Sequence, residues 1–384
     1  MSSTIKQAII IGGGIGGLCT TIALQQIGID VRVYERTEAF ERVGAGLAVW
    51  ANAIRALRKL GLADQVIEAG SVFGHAEFRS PSGKILQSGE LGASDRHIDE
   101  PNVGIHRAEL HRVLVLALPA ETLRLGMRCI GVEQDSDKVT IHLANGGTDQ
   151  ADCLIAADGL RSTVRQQLFP ETQLNYAGRT SWRGVAETRD AVAPGVVYQT
   201  WGRGERVGFV SVDRNHVYWF AVTNLPEGKT PPSAERKDFL CRRFRGWHHP
   251  IGHLIDMTAA QTIVEAPIYD IEPLARWSQG RITLLGDAAH AATPDMGQGA
   301  CMAIEDAVVL ARCLSQEKDL ATALNRYEVE RKPRTTWIMN QSRTIGRIAQ
   351  LDNPLLCTIR DFMLAIVPDR ITRRQLAKVI DYEA

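Results

Sequence analysis

The sequence predicts an α/β protein in which a Rossmann-like nucleotide-binding domain carries an inserted β-sheet domain and is followed by C-terminal helices. Three observations lead to this prediction. An apolar strand near the start of the chain runs into the glycine-rich turn Gly12–Gly17 and a helix. Two later apolar strands end in the acids Asp158 and Asp287. Between those two strands, short alternating runs that are typical of half-buried strands replace the helical periodicity.

The length and composition are those of an ordinary globular protein. The 384 residues suffice for one large domain or two closely joined ones, and 44 Lys and Arg residues balance 44 Asp and Glu residues. This balance gives no reason to expect nucleic acid or an anionic membrane as a partner. No apolar run reaches the roughly 18 residues of a membrane span. Seven scattered cysteines without CxxC spacing predict neither a metal site nor a redox disulfide, and they fit a cytoplasmic protein.

The first element has the pattern of a βαβ unit with a GxGxxG turn. An apolar strand precedes Gly12, a helix follows Gly17, and a second strand ends at Glu35. Gly12 permits the tight turn, Gly14 lets the backbone approach a pyrophosphate, and Gly17 lets the helix pack on the strand. Glu35 is placed to accept hydrogen bonds from a ribose. Because every part of the unit is present, we prefer dinucleotide binding to a chance glycine-rich turn.

The rest of the chain divides by its periodicity. The pattern is helical near residues 52–62 and 106–118, β-rich from about 176 to 222, α/β again after Pro267, and mainly helical from Cys301. We therefore expect a discontinuous nucleotide-binding domain, an inserted β-rich substrate domain and C-terminal helices. Their predicted ranges are 1–75, 100–175 and 268–345 for the first, 76–99 and 176–267 for the second, and 346–384 for the third.

The second and third apolar strands each end in an acid. Asp158 lies in LIAADGLRSTVR, where capping of the turn at Gly159 is an alternative interpretation. Asp287 lies in GRITLLGDAAH, and an acid at the end of a buried strand is costly without a partner. A helix is predicted to begin at about Gly299. An acid followed by N–H groups at a helix N-terminus suits a polyol and an electron-poor ring.

Three motifs follow one another along the chain: the GGGIGG turn with Glu35, the motif at Asp158 and the motif at Asp287. In this order they resemble the motifs of the group A flavoprotein monooxygenases, the para-hydroxybenzoate hydroxylase-like family. The resemblance covers about residues 5–345. It implies tightly bound FAD and transient NADH or NADPH. It also implies that O2 is activated as a C4a-(hydro)peroxyflavin, which hydroxylates a small aromatic or heteroaromatic substrate.

The resemblance implies roles for individual residues around the FAD chain. Arg42 matches the basic residue near the pyrophosphate, and Arg107 matches the arginine at the ribityl-phosphate region. Asp158 belongs to the motif linked to both FAD and NAD(P)H binding, and Asp287 corresponds to the ligand of the ribitol or pyrophosphate. Apart from the motif context, Arg42 and Arg107 would be interpreted as ordinary surface ion-pair residues.

The turn before the last long helix is implied to face the flavin ring. Pro294, Gly297 and Gly299 would lie at the isoalloxazine. Asp295 would face the substrate side, with capping of the following helix as its alternative role.

The inserted sheet is expected to cover the flavin and to supply substrate contacts. Arg206 and Tyr218 are the preferred candidates, because GRGERVGFV and HVYWFAV resemble strands of FAD-dependent urate hydroxylases in which an Arg and a Tyr contact substrate. Tyr218 and Phe220 should share one face of a strand, with Trp219 on the other. The further candidates, for which packing in the sheet core is the alternative, are Trp182, Arg183, Trp201, Phe209 and Phe220.

Two alternative functions stay open at this point. The run from Pro294 to Asp306 also resembles plant carotenoid epoxidases, so an epoxidase or hydroxylase of an apolar isoprenoid-like substrate is one alternative. The other is a non-catalytic flavin-bound binding protein. A monomer or homodimer is expected. The amphipathic segment Ile371–Ile380 is expected to pack on its own domain, with a membrane or partner contact as the alternative.

Overall fold

The structure is a computed structural model, and it describes residues 5–40, 45–91, 100–188 and 191–384. In chain order its strands are β1 (Gln7–Ile11), β2 (Asp30–Tyr34), β3 (Gly46–Val49), β4 (Ser71–Phe73), β5 (His75–Arg79), β6 (Ile85–Glu90), β7 (Asn102–His106), β8 (Leu123–Arg124), β9 (Cys129–Gln134), β10 (Val139–Leu143), β11 (Thr148–Ala151), β12 (Cys153–Ala156), β13 (Leu174–Glu187), β14 (Val196–Trp201), β15 (Glu205–Ser211), β16 (His216–Asn224), β17 (Val264–Ile271), β18 (Ser278–Gln279) and β19 (Ile282–Leu284). The α-helices are α1 (Ile15–Gln26), α2 (Ala51–Lys59), α3 (Ala63–Ala69), α4 (Arg107–Leu116), α5 (Thr163–Leu168), α6 (Arg236–Arg243), α7 (Ile251–Met257), α8 (Asp287–His290), α9 (Gly299–Gln316), α10 (Leu320–Ala349), α11 (Pro354–Ile366) and α12 (Asp369–Ile380).

A six-stranded sheet confirms the Rossmann-like prediction. Its order is β18-β19-β12-β1-β2-β8, and its neighbours are parallel except for the β18–β19 pair. The strands β1, β12 and β19 are buried along almost their whole length, because helices cover both faces of a parallel sheet. Their carboxyl ends meet at one edge of the sheet. Gly12, Asp158 and Asp287, which follow these ends, are therefore brought to the same edge.

A seven-stranded sheet corresponds to the predicted β-rich insertion. Its order is β17-β13-β16-β15-β14-β5-β6, and its neighbours are antiparallel except for the parallel β5–β14 pair. Its outer face carries Trp182, Phe209 and Trp219, which pack in one cluster with residues of α6 and α7. The domain boundaries assigned from sequence stay a prediction.

The opposite face of this sheet, here called the inner face, is the more polar one. The register of β13, β15 and β16 places on it Arg179, Arg183, Arg206, Tyr218 and Phe220. The separation of Tyr218 and Phe220 from Trp219 is confirmed. The expectation that Trp182 and Phe209 face the flavin is wrong, because strand alternation turns both toward α6 and α7.

Helices α9 and α12 lie against the nucleotide-binding part. Helix α9 packs on α1, α2 and α10. Helix α12 packs inward through Val379 and Ile380 beside Ala51 and Trp337, which confirms the expectation that it lies on its own domain. Within the described ranges, no helix combines the length and apolarity that crossing a bilayer requires.

Candidate active site

The glycine-rich turn after β1 has the geometry of a phosphate-binding loop. Gly12 has a φ of 106°, and a Cβ there would lie 2.3 Å from the carbonyl oxygen of Ala157. At Gly17 a Cβ would come 2.0 Å from the carbonyl oxygen of Gly12. Gly14 is the N-cap of α1 and offers no side-chain cap, and no atom lies within 4 Å of a Cβ built on it. The first N–H groups of α1 are therefore open to an anion such as pyrophosphate.

Glu35 is fixed at the end of β2 as an ionised acceptor. Its Oε2 accepts a hydrogen bond from the Gly13 N–H at 2.7 Å, and its Oε1 accepts from the Thr37 N–H and hydroxyl at 2.9 and 2.7 Å. Burial acts to raise the pKa of Glu35, but the hydrogen bonds from Thr37 and Gly13 outweigh it and the pKa is lowered. His111 of α4 also holds the glycine-rich loop, because its Nε2 donates a hydrogen bond to the Gly13 carbonyl at 2.7 Å. Sequence reasoning missed His111.

Asp158 accepts hydrogen bonds at the start of α5 in this structure. Its Oδ2 accepts from the N–H groups of Thr163 and Val164 at 2.8 and 3.3 Å, whereas Oδ1 is buried without a partner among the described residues. Burial raises the pKa of Asp158. Its implied part in FAD and NAD(P)H binding stays a prediction.

Arg165 joins the second motif to the third. This buried guanidinium donates to the carbonyl oxygens of Asp287 and Ala288 at 3.2 and 3.1 Å, and to that of Leu160 at 2.5 Å. The Arg in the motif after Asp158 thus fixes the backbone at Asp287.

Asp287 and Arg107 lie close enough to interact electrostatically, in a recess at the sheet edge. Asp287 is the first residue of α8, and neither side chain hydrogen-bonds to a described residue, although both are open to solvent. Protein atoms surround the recess closely, so burial raises the pKa of Asp287 while His290, Arg107, Arg165 and Arg183 oppose that rise. Burial and the charge of Arg183 lower the pKa of Arg107. These two groups are available to a polar ligand. Arg42 lies outside the described residues.

The turn predicted to face a ring lies beside Asp287. Pro294 begins a short 3₁₀ turn that ends at Gly297, which has a φ of 63°. Helix α9 begins at Gly299 without a side-chain cap, and a Cβ on Gly299 would lie 3.9 Å from Asp287 Oδ1. The prediction that this helix begins at about Gly299 is confirmed. The open N-terminus of α9 can stabilise negative charge next to Asp287.

A buried ionic network beneath these two segments holds them in place. Asp306 Oδ2 accepts from the Gly286 N–H at 3.1 Å and from His290 Nε2 at 2.6 Å, and its Oδ1 accepts from Arg331 Nε at 2.7 Å. Burial acts to raise the pKa of Asp306, but His290 and Arg331 lower it to about 2. The carboxylate of Asp306 therefore anchors the residue that precedes Asp287.

The neighbouring acid, Glu305, anchors the ring-facing turn. It pairs with Arg331 and Arg334, each at 2.8 Å, and all three side chains are buried. Asn52 of α2 donates from Nδ2 to Glu305 at 2.6 Å and to the side-chain oxygen of Gln298 at 3.0 Å. Sequence reasoning missed Asn52, Arg331 and Arg334. The available signal was a pair of adjacent acids within an apolar helix.

A second buried ionic cluster joins the inner face of the inserted sheet to the same turn. Asp295 Oδ2 accepts from Arg179 at 2.7 Å and Oδ1 accepts from Arg206 at 2.5 Å, and the three side chains are at most 5% exposed. Arg206 also lies over the ring of Phe220, 5.7 Å from its centroid. Because Gln298 is the N-cap of α9, the alternative that Asp295 caps this helix is wrong. Two guanidinium groups share one carboxylate, which leaves one buried positive charge in excess.

Tyr218 contributes a polar group near this cluster. Its ring packs so closely on β3 that a Cβ on Gly46 would lie 2.5 Å from it, and Phe220 is 6.2 Å away between ring centroids. Burial raises the pKa of Tyr218, so the phenol is neutral. Its hydroxyl forms no hydrogen bond with a described residue, and it is therefore free to donate one.

The residues present fit FAD. The open N-termini of α1 and α9 suit a pyrophosphate and the electron-rich edge of a flavin ring. Gly14 leaves room for close approach of a ligand, and Asp287 and Arg107 are available for the polar chain between the two helix ends. The fold and the site together define the class of FAD-dependent monooxygenases of group A.

Comparison with known proteins supports this classification. Residues 6–342 match the family model described as "FAD binding domain", and the chain belongs to this family. It is similar to aurachin C monooxygenase/isomerase of Stigmatella aurantiaca, with 41% identity over 372 residues that cover 96% of this chain and 97% of that protein. It is also similar to an FAD-dependent urate hydroxylase of Klebsiella pneumoniae, with 37% identity and 88% of both chains covered.

A solved structure shows the same architecture with its cofactor. The crystal structure of Klebsiella pneumoniae HpxO complexed with FAD and uric acid superposes with a TM-score of 0.92, at 33% identity, over 98% of this chain and 96% of that chain. FAD is the cofactor of the present chain, which is a monooxygenase of the same class.

The role assigned to Asp287 can be tested by FAD binding. Asp287→Ala should weaken the binding of FAD to the cofactor-free protein by roughly tenfold to a hundredfold, because a charged hydrogen-bond partner is lost. Titration of the cofactor-free protein with FAD, followed by flavin fluorescence, measures this. Asp64→Ala, which removes an exposed carboxylate elsewhere, is the control. Unchanged affinity in Asp287→Ala would remove Asp287 from the site.

Proposed function

We propose that this protein is an NAD(P)H-dependent FAD monooxygenase that hydroxylates a small nitrogen heteroaromatic ring bearing an oxo or hydroxyl group. The observation that carries the proposal is the excess positive charge of the Arg179–Asp295–Arg206 cluster, buried beside the ring-facing turn. Rings of this kind lose a proton to give a delocalised anion. A buried positive charge favours that anion over the neutral form.

Similar proteins support this substrate class. Besides the urate hydroxylase, the chain is 33% identical to 6-hydroxynicotinate 3-monooxygenase of Bordetella bronchiseptica. It is 31% identical to 2-heptyl-3-hydroxy-4(1H)-quinolone synthase of Pseudomonas aeruginosa. The named compounds of these relatives are all oxygenated nitrogen heterocycles.

When bound, FAD supplies the oxygen-transfer chemistry. Asp287 and Arg107 would hold its polar chain, and the N-terminus of α9 would stabilise negative charge on the ring. Arg206 would stabilise the deprotonated substrate and so raise the electron density of its ring. The neutral phenol of Tyr218 would donate a hydrogen bond to a substrate oxygen. The inner face of the sheet would exclude water from the reacting atoms.

The alternative of an apolar isoprenoid-like substrate is less well supported. A site for such a substrate needs an apolar wall, whereas the inner face carries three arginines and a tyrosine whose hydroxyl bonds to none of the described residues. Three further statements stay predictions: the use of NADH or NADPH as reductant, the cytoplasmic location, and a monomeric or homodimeric state.

The proposed function is tested by turnover. NAD(P)H oxidation should rise when uric acid, 6-hydroxynicotinate or a 4-quinolone is added, and one atom of ¹⁸O2 should enter the product. Stimulation only by long-chain isoprenoids would contradict the proposal, and so would flavin that NAD(P)H does not reduce with any of these compounds present.

Arg206→Gln should reduce kcat/KM by roughly tenfold to a hundredfold, because a charge-assisted contact to the substrate anion is lost. More of the NAD(P)H consumed should then yield H2O2, while FAD stays bound. The fold should tolerate this change, since Arg179 and Asp295 remain as a neutral pair. Arg203→Gln, in the exposed turn of the same hairpin, is the control. Unchanged substrate dependence in Arg206→Gln would contradict its role.

A further inference from the structure

A continuous row of exposed apolar side chains runs along α11. Large apolar residues of helices α11 and α12 that are 46–68% exposed are Leu355, Leu356, Ile359, Phe362, Met363, Ile366 and Ile371. The six on α11 follow helical spacing and fall within about 120° of its circumference. We call these six residues the apolar stripe. Single exposed apolar residues are ordinary, whereas a contiguous row indicates a binding surface.

The opposite side of α11 is anchored, so the stripe cannot turn inward. Arg360 is buried, donates from Nη1 to the Ala349 carbonyl at 3.1 Å and lies 5.6 Å from the ring centroid of Trp201. Cys357 is also buried, and Asn353 caps the start of the helix. The outward orientation of the stripe is therefore built into the fold.

Cationic residues follow directly on α12. Its sequence carries Arg370, Arg373, Arg374 and Lys378 against the single acid Asp369, although the chain as a whole has no net charge. Arg374 and Lys378 line a surface depression together with Ile371.

The two helices share one edge of the inserted sheet. Thr372 of α12 accepts a hydrogen bond from Gln87 of β6 at 2.8 Å, and α11 packs on the same strand. The apolar stripe and the two described cations Arg374 and Lys378 therefore belong to helices that pack on the same edge of the inserted sheet.

We propose that α11 and α12 form a docking surface for an anionic lipid bilayer. The apolar stripe would enter the headgroup region, and Arg374 and Lys378 of α12 would contact lipid phosphates. Such a contact is interfacial and needs no membrane-spanning helix. A second copy of the chain fits less well, because a two-fold interface built on this edge would bring the cations of α12 toward their own copies. The proposal does not rest on the substrate class.

Flotation of the FAD-loaded protein with lipid vesicles tests this surface. The protein should float with vesicles of equal parts phosphatidylglycerol and phosphatidylcholine. Binding should fall by roughly tenfold or more in the double variant Ile359→Ser/Phe362→Ser, because each buried apolar side chain contributes about that factor. The control is Leu116→Ser/Val329→Ser, whose residues are 70% and 64% exposed elsewhere on the protein and should not affect flotation.

The charge requirement has its own test. Arg374→Gln/Lys378→Gln should weaken binding to the anionic vesicles and reduce its dependence on salt. Equal binding of wild type to pure phosphatidylcholine would overturn the part assigned to the cations.

Three outcomes would overturn the proposal as a whole. The first is a wild-type protein that does not float, and the second is a stripe variant that floats as well as wild type. The third is a wild-type dimer in light scattering that Ile359→Ser/Phe362→Ser converts to a monomer without any vesicle binding, which would make the surface an interface between copies. NAD(P)H oxidation with water-soluble substrates should be the same in the stripe variant and wild type, so failure here is distinguishable from failure of the proposed function.

Discussion

Asp295→Ala should lower the free energy of unfolding by about 3–5 kcal/mol, because it leaves two buried guanidinium groups without their shared counter-charge. Arg179 and Arg206 are 5% and 2% exposed, so water cannot replace the lost carboxylate. Turnover should be lost as well, since the cluster would no longer hold Arg206 at the inner face. Urea unfolding of the cofactor-free protein measures the first effect, and NAD(P)H oxidation measures the second.

Charge balance within the cluster provides the controls for this prediction. Arg179→Met in the Asp295→Ala background should recover part of the lost stability, because only one unpaired buried charge remains. Glu272→Ala removes a carboxylate that is 73% exposed and pairs with Arg343. It should lower the free energy of unfolding by less than about 1 kcal/mol. If Asp295→Ala unfolds at the same urea concentration as wild type, the cluster is not an important source of stability.

Asp306→Ala should also lower the free energy of unfolding, by about 3–5 kcal/mol, since it removes one of the two carboxylates that pair with the buried Arg331 and leaves His290 without its partner. It should also weaken FAD binding, because the Gly286 N–H loses its acceptor and the segment at Asp287 loses its anchor. Unfolding of the cofactor-free protein and FAD titration separate the two effects. Loss of stability with unchanged FAD affinity would show that Asp306 supports the fold alone.

The same carboxylate should give acid sensitivity of known sign. The pKa of Asp306 is lowered from 3.8 to about 2 in the folded protein. The lowered pKa contributes about 2 kcal/mol to the free energy of unfolding. This contribution is present above pH 4 and is lost as the pH falls from about 4 toward 2. In Asp306→Asn this part of the stability–pH curve should be flatter than in wild type. Parallel curves for the two proteins would contradict the assignment.

Local motifs accounted for much of the cofactor site. Gly12, Gly14, Gly17 and Glu35 were predicted because they form one βαβ motif along a short stretch of chain, whereas the close approach of Gly12 to Ala157 appeared only in the folded structure. Asp287 was predicted from the cost of placing an acid at the end of a buried strand. Their implied contacts with FAD await the binding experiments.

The orientation of the inserted sheet was only partly predictable. Alternation along β16 separated Tyr218 and Phe220 from Trp219, as expected. It did not reveal that Trp182 and Phe209 face α6 and α7, because the pairing register between strands decides which residues of different strands share a face.

The sequence by itself determined the fold class, the nucleotide-binding turn and the class of cofactor, since each follows from short local motifs and from the order of those motifs along the chain. The tertiary structure alone decided that Asp295 pairs with Arg179 and Arg206, and that Glu305 and Asp306 anchor the segments around Asp287 and Gln298. These pairs join residues from separate elements of the chain. Coulomb attraction depends on distance in space, and only the folded chain sets that distance.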